Sequence, residues 1–221
     1  PLLRFSPGRK MLSAAALRQG FHFSLPPMIQ SSISSLGSLI LQNFMNGFGT
    51  QTVAAITTAY RIDTIVLLPI INLGSGISTL TAQSYGAGRT DRTRRILLAG
   101  SGVMLLVSLA LTLLVIPTGG HLIALFGAGA EAVRIGSDFF LRIASFYVVY
   151  GLAMSVRGCL EGIGDVTYSS IAGIASLVFR IFLSYALADL FGNMVIAYAE
   201  AFSWLLLLGL YILRAWIRGF S

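Results

Sequence analysis

The stretch IDTIVLLPIINLGSGISTLTAQSYGAGRTDRTRR, residues 62–95, decides how the rest of the chain is interpreted. It is mostly apolar up to Leu80, is interrupted by Pro69, and becomes polar at Gln83. A Gly-Ala-Gly turn follows, and then a short run that contains four arginines. An apolar helix that ends in a basic loop is typical of a membrane span leaving the bilayer on the side where Lys and Arg accumulate.

The composition excludes a soluble domain. Of 221 residues, 56% are hydrophobic and 10% are charged, with a mean hydropathy of +0.83. Soluble domains carry about 25% charged residues, so we interpret the chain as an integral membrane protein in contact with the lipid bilayer. The net charge of +7 comes from arginines between apolar segments rather than from a soluble basic face, so no nucleic-acid partner is expected.

The predicted fold is an all-α bundle of six transmembrane helices. A membrane-crossing helix needs about 20 mostly apolar residues, and six segments meet this requirement: 23–48, 52–85, 96–115, 139–156, 168–190 and 194–213. The first is rich in amides and hydroxyls, and Pro26 and Pro27 are expected in its first turns. The third is expected to end at Pro117, with an apolar loop over residues 121–130.

The basic residues predict the orientation. With the N-terminus in the cytoplasm, 11 of the 15 Lys and Arg residues fall in inner segments and one, Arg134, falls in an outer loop. This distribution places both termini in the cytoplasm, in a plasma (bacterial inner) membrane.

Residues 25–92, LPPMIQSSISSLGSLILQNFMNGFGTQTVAAITTAYRIDTIVLLPIINLGSGISTLTAQSYGAGRTDR, resemble the multidrug and toxic compound extrusion (MATE) family. The resemblance rests on Leu25-Pro26, Phe48-Gly49, Val53-Ala54-Ala55, Pro69 and two Gly-rich motifs, QSYGAG (83–88) and GCLEGIGD (158–165). Each motif lies where a span leaves the membrane, and the two are called the exits. It implies one six-helix lobe of a two-lobe transporter. Residues 1–20 are then a basic cytoplasmic linker between the lobes, and residues 21–221 are the C-terminal lobe.

The resemblance also implies a function. Members are secondary transporters that export cationic or amphipathic drugs by alternating access, in antiport with Na⁺ or H⁺. No cofactor beyond the coupling ion and no catalysis are expected, and the N-terminal lobe of the same protein would be a partner, since the chain begins at Pro1. Some members carry acidic cation-binding residues in two spans of this lobe; the matching positions here fall near Ser34 and Tyr150, which are not acidic.

Candidate site residues come from polar groups inside the spans. Cavity candidates are Gln30, Ser34, Gln42, Asn46 and Tyr150, and the amides and hydroxyls among them could equally cross-link neighbouring helices. Ion-coupling candidates are Asp63 and Glu200, since a carboxylate inside a membrane is costly. Glu200 could instead lie at headgroup depth, and Asp63 could pair with a basic group elsewhere in the lobe.

Other residues are given structural interpretations. Pro69, Gly74 and Gly76 form a candidate hinge in the second span. Arg180 lies mid-span, where an unpaired charge would be very costly, so it either snorkels, pairs with a carboxylate, or contacts lipid or an anionic group. Arg142 is spaced to pair with Asp138.

The sequence gives no pattern for a metal site or for catalysis, and it leaves two alternative functions open. No metal site is expected at His22 or His121, and no nucleophile–base arrangement suggests an enzyme. The alternatives are a lipid-linked precursor flippase, whose cationic cavity could draw only on Arg61 and Arg180, and a non-transporting membrane scaffold.

Overall fold

The computed structural model describes residues 13–219, which form α-helices joined by short turns, with no strand in this range. The helices are α1 Ala14–Asn46, α2 Thr50–Val66, α3 Leu68–Gly86, α4 Thr90–Leu125, α5 Ala130–Ala144, α6 Tyr147–Gly162, α7 Val166–Ala186, α8 Ala188–Phe191 and α9 Val195–Ile217, with a 3-10 turn at Gly192–Met194 before α9. Most of the predicted linker, residues 1–12, lies outside the described range.

The helices form a multi-pass membrane protein. Four continuous helical stretches are long and apolar enough to cross a membrane: Thr50–Gly86, Thr90–Leu125, Val166–Ala186 and Ala188–Ile217. The pair α5 and α6, bent by 49°, makes a fifth if it counts as one span. The first predicted span is the helix α1, whose 33 residues are enough to cross a membrane. Its amides and hydroxyls make it less apolar than the four stretches above.

The region around Pro117 differs from the sequence-based prediction. Helix α4 continues through Pro117 to Leu125, so the predicted end of the third span and most of the predicted loop are wrong. Within a bilayer, an unwound segment would leave several backbone groups without partners, whereas a proline removes one hydrogen bond. Gly119 also lies so close to Phe140 of α5 that a Cβ atom there would be 2.8 Å from the ring. Packing on α5 therefore favours a continuous helix.

Helix α1 also starts earlier than predicted. The Ser13 side chain caps it by accepting a hydrogen bond of 3.1 Å from the Ala16 amide, and the helix continues without a break through Pro26 and Pro27. These prolines lie in the helix interior rather than in its first turns. Residues 14–20 of the predicted linker are thus the first turns of α1.

The two Gly-rich exits fold in the same way. Gly88 and Gly164 have φ of +70° and +90°, and each lies just after the end of a helix. The next amide reaches back five residues, from Arg89 to Ser84 and from Asp165 to Leu160, at 2.9 Å in both cases. This is the glycine-terminated C-cap that satisfies carbonyls at a helix end, and it explains why G-x-G recurs at both exits.

The bundle has two packed groups. Helix α3 packs on α4 and α6, while α7 packs between α1 and α9. The α3–α6 contact is very close: a Cβ atom on Gly158 would lie 2.5 Å from the Gly74 carbonyl oxygen, and one on Gly162 would lie 2.6 Å from the Ser78 carbonyl oxygen. Helix α5 packs on α4 and on α2, and contacts of α9 with α6 and α5 join the two groups. The polar site lies where these helices meet.

Candidate functional site

Two cavities that share Gln42 lie along α1 and α2, and together they are called the α1–α2 groove. The larger, about 730 Å³, is lined by Gln42, Asn46, Gly49, Thr50, Val53, Ala54, Thr57, Thr58 and Arg61. The deeper, about 400 Å³, is lined by Ser38, Leu41, Gln42, Met45, Tyr60, Asp63, Thr64, Leu67, Ile71, Arg180 and Glu200. The groove thus brings together four of the predicted site residues: Gln42, Asn46, Asp63 and Glu200.

An ion pair lines the deeper cavity. Nη1 of Arg180 on α7 lies 3.0 Å from Oε1 of Glu200 on α9, with the two side chains 19% and 10% exposed. Arg180 also donates a hydrogen bond of 2.7 Å to the hydroxyl of Tyr60 on α2. The predicted carboxylate partner of Arg180 is therefore confirmed, and it is one of the ion-coupling candidates. Glu200 is buried, with 8% of the residue exposed, and its depth in the membrane stays a prediction.

The second carboxylate oxygen of Glu200 is unused. Oε2 is buried and has no hydrogen-bond partner in the part of the chain that the structure describes. Because a buried polar atom without a partner is costly, this oxygen marks a position where a proton or a cation would be favourable.

Asp63 is held differently. The Tyr147 hydroxyl on α6 donates a short hydrogen bond to its Oδ1, and the side chain is buried against α6. Within residues 13–219 it makes no ion pair, so a basic partner for Asp63 is not found among the described residues and that alternative stays untested. The Arg180 charge still acts on Asp63 through space, since both line the same cavity.

The remaining cavity candidates lie elsewhere. The amide of Gln30 packs on Gly173 of α7, where a Cβ atom would be 2.0 Å from its nitrogen. Ser34 is half-buried. The Tyr150 ring packs against Trp204 at a centroid distance of 4.8 Å. None of the three lines the groove, and any role for them in transport stays a prediction.

The candidate hinge lies directly after the Asp63 turn of α2. The membrane-spanning stretch Thr50–Gly86 consists of α2 and α3, which are separated at Leu67, two residues before Pro69. Gly74 contacts α6, where its Cβ position is 3.2 Å from the Met154 carbonyl oxygen, whereas Gly76 has nothing within 4 Å. Bending at this break would move the α2 side of the groove, and the hinge role stays a prediction.

Sequence reasoning missed Tyr60 and Tyr147. Tyr60 lies three residues before Asp63, and that spacing places both on one helix face, so the sequence held a signal for it. Tyr147 lies 84 residues from Asp63, and no pattern in the sequence points to that contact.

A second charged cluster lies at the opposite end of α9 from Glu200. Asp165, between α6 and α7, accepts hydrogen bonds from Arg214 at 2.7 and 3.2 Å and from Arg218 at 3.0 Å. Burial raises the pKa of the Asp165 carboxyl, but the hydrogen bonds from the two arginines outweigh it and leave the pKa below its usual value. The ion pair of Arg142 with Asp138 is also present, at 3.8 Å.

No group of three or more His, Cys, Asp or Glu side chains within residues 13–219 is placed to hold a metal ion. His22 instead packs edge-on against the ring of Phe23. Cys159 is buried, with its sulfur 3.5 Å from the Thr81 hydroxyl.

The fold and the site define a multi-pass, all-α membrane protein with a polar groove and intramembrane charges. The sequence profile of the MatE family matches residues 26–186, so the chain belongs to this family. It resembles the probable multidrug resistance protein YoeA of Bacillus subtilis, with 24% identity over 76% of this chain and 35% of that protein. It also resembles Protein DETOXIFICATION 39 of Arabidopsis thaliana, with 26% identity over 86% of this chain and 38% of that protein.

Solved structures match the fold. A MATE crystal structure in complex with MaL6 superposes with a TM-score of 0.83 at 20% identity, over 97% of this chain and 48% of that one. The outward-facing conformation of a multidrug resistance MATE transporter gives 0.80 at 21% identity, over 90% and 44%. The chain spans less than half the length of these relatives, and its fold is that of one lobe of a two-lobe transporter.

Proposed function

We propose that the chain is one lobe of a secondary multidrug efflux transporter, which exports cationic or amphipathic compounds in antiport with Na⁺ or H⁺ by alternating access. The observation that carries the proposal is the pair of buried carboxylates, Asp63 and Glu200, in one polar groove inside the membrane. Intramembrane carboxylates that line a cavity are typical of ion and substrate pathways. The names of the relatives support drugs as the substrate class.

The ion-coupling step that we propose centres on Glu200. Its free Oε2 would take the proton or Na⁺, which would weaken the attraction of the carboxylate for Arg180. Arg180 also bonds to Tyr60 on α2, so a change at Glu200 would reach the helix that ends at the Leu67 break. Motion of α2 and α3 about Pro69, with Gly74 and Gly76, would then open or close the groove.

The charge of the groove favours drug export over the flippase alternative. A flippase for anionic lipid-linked precursors needs a strongly cationic cavity. The charged residues that line the groove are Arg61, Arg180, Asp63 and Glu200, so their formal charges sum to zero when all are ionised. The Arg180 charge is further neutralised by its 3.0 Å contact with Glu200.

We also propose that the chain is the C-terminal lobe, in the plasma (bacterial inner) membrane with both termini in the cytoplasm. The basic α3–α4 turn supports this orientation. In intact cells, a membrane-impermeant maleimide should label Ala128→Cys in the α4–α5 turn but not Ala87→Cys in the α3–α4 turn. Labelling of Ala87→Cys alone would show the opposite orientation.

The function is tested by ethidium efflux from cells that express the intact protein carrying this lobe, with the Na⁺ and proton gradients collapsed separately. Loss of efflux with one gradient would identify the coupling ion. Glu200→Gln and Asp63→Asn should each abolish gradient-driven efflux, whereas Glu131→Gln, which removes a carboxylate from an exposed pair, should not. Efflux that persists in both groove variants, or that is absent from the wild type in every condition, would refute the proposal.

A further inference from the structure

A small basic cavity lies away from the groove, at the turn between α3 and α4. It has a volume of about 220 Å³ and is lined by Tyr85, Thr90, Thr93, Arg94, Ile163, Arg218 and Gly219. We call it the exit pocket. The transport proposal does not use it.

The exit pocket lies where four apolar helices end. The apolar stretches end at Gly86, Gly162 and Ile217, and the next one begins at Thr90. Every residue that lines the pocket lies within a few positions of one of these four ends. We therefore expect the pocket to be within reach of lipid headgroups.

The pocket has positive charge available for a ligand. Arg94 makes no ion pair in the part of the chain that the structure describes, and neither do Arg89, Arg92 and Arg95 beside it. Arg218 contacts Asp165 through Nε, but Arg214 already holds both oxygens of that carboxylate. The terminal nitrogens of Arg218 therefore have no acceptor within residues 13–219.

The start of α4 adds further donors. The hydroxyl of Thr90 and the phenol of Tyr85 line the same cavity, and no side chain caps the first turn of α4. Thr90 lies at the positive end of a 36-residue helix, and Asp91 in the same turn does not line the pocket. Two guanidinium groups and two hydroxyls around 220 Å³ together suit one phosphate group with a short organic substituent.

We propose that the exit pocket binds the phosphate headgroup of an anionic phospholipid. The position within reach of lipid headgroups favours a lipid over free phosphate, and anionic lipids are enriched in the leaflet that faces basic loops. The acyl chains would run along the apolar surfaces of α3 and α4, where Leu80 and Leu98 are exposed.

The test is native mass spectrometry of the intact protein in detergent during titration with phosphatidylglycerol, with phosphatidylcholine and with inorganic phosphate. The wild type should bind one phosphatidylglycerol more tightly than any later one, and should prefer it to phosphatidylcholine. Arg94→Gln/Arg218→Gln should weaken this first site by about thirtyfold, since each basic side chain near a membrane surface contributes about fivefold.

The matched control is Arg92→Gln/Arg95→Gln, which removes two charges from the same helix start outside the pocket. It should weaken the first site clearly less than Arg94→Gln/Arg218→Gln does, because neither side chain lines the pocket. Equal losses in both double variants would overturn the proposal, because the lipid would then respond to general charge. Inorganic phosphate that competes at concentrations equal to phosphatidylglycerol would overturn the lipid assignment in favour of free phosphate. Arg94→Gln alone, which leaves the Asp165 contacts intact, keeps the test valid if the double variant does not fold.

Discussion

Removal of Arg180 should destabilise the protein far more than removal of the whole ion pair. At a nitrogen–oxygen distance of 3.0 Å, the attraction between the charges is about 5–6 kcal/mol at an effective dielectric constant of about 20. Most of it offsets the cost of taking both charges out of water. Arg180→Gln would leave Glu200 buried without its partner, at a cost of about 3–5 kcal/mol. The double variant Arg180→Gln/Glu200→Gln leaves no such charge, so its cost should be much smaller than the sum of the single costs.

The measurement is a double-mutant cycle of melting temperatures for the intact protein in detergent. Each kcal/mol corresponds to about 2–4 °C for 150–250 residues and to about half of that for a protein twice as long, so Arg180→Gln should lower the melting temperature of the intact protein by roughly 3–10 °C. Tyr60→Phe is the matched control, since it removes the hydroxyl that accepts from Arg180 and keeps both charges of the pair, and it should cost about 1.5–3 kcal/mol. Strictly additive effects of the two single variants would refute the reasoning, because they would show that the pair does not couple. The double variant should regain stability without regaining efflux, which separates folding from transport.

Two further perturbations test the packing and the second charged cluster. Gly158→Ala should destabilise by about 1–3 kcal/mol, because its Cβ would lie 2.5 Å from the Gly74 carbonyl oxygen, whereas Gly76→Ala should be close to neutral in the same melting experiment; equal effects would contradict the close helix contact. Asp165→Asn should lower the melting temperature at pH 7, because the folded-state pKa of this carboxyl lies below its usual value. That stabilisation is present above about pH 4 and is lost as the pH falls through the folded-state pKa, so the wild type and the variant should converge once the pH lies below the folded-state pKa. A difference in melting temperature that stays constant with pH would show that Arg214 and Arg218 do not stabilise the ionised form of Asp165.

The parts of the fold that could be predicted from the sequence are those set by the length of the apolar segments and by prolines that interrupt single helices. The break at Leu67 follows from Pro69, which cannot continue the hydrogen bonds of the preceding turn. The need of Arg180 for a carboxylate follows from the cost of a charge inside a membrane, and the structure shows Glu200 in that role.

The parts that could not be predicted depend on contacts between helices. Pro117 looks like a helix end in isolation, yet α4 continues through it because Gly119 packs on Phe140. The 49° bend between α5 and α6 falls at Ser145 and Phe146, and neither position is a proline or a glycine that would predict a bend. The hydrogen bond from Tyr147 to Asp63 depends on which faces of α2 and α6 meet, and that is set by the whole bundle.

The close approach of α3 and α6 has a consequence for how mutational data on this protein should be interpreted. A screen that scores survival on a toxic drug would rank Gly158 and Gly162 beside Glu200, although the glycines act as spacers that let two backbones touch. Substitutions at the spacers should lower the amount of folded protein in the membrane, whereas on the proposed function those at Glu200 should lower the flux per molecule. Abundance and flux, scored separately for each variant, would therefore separate the architecture of the lobe from its transport chemistry.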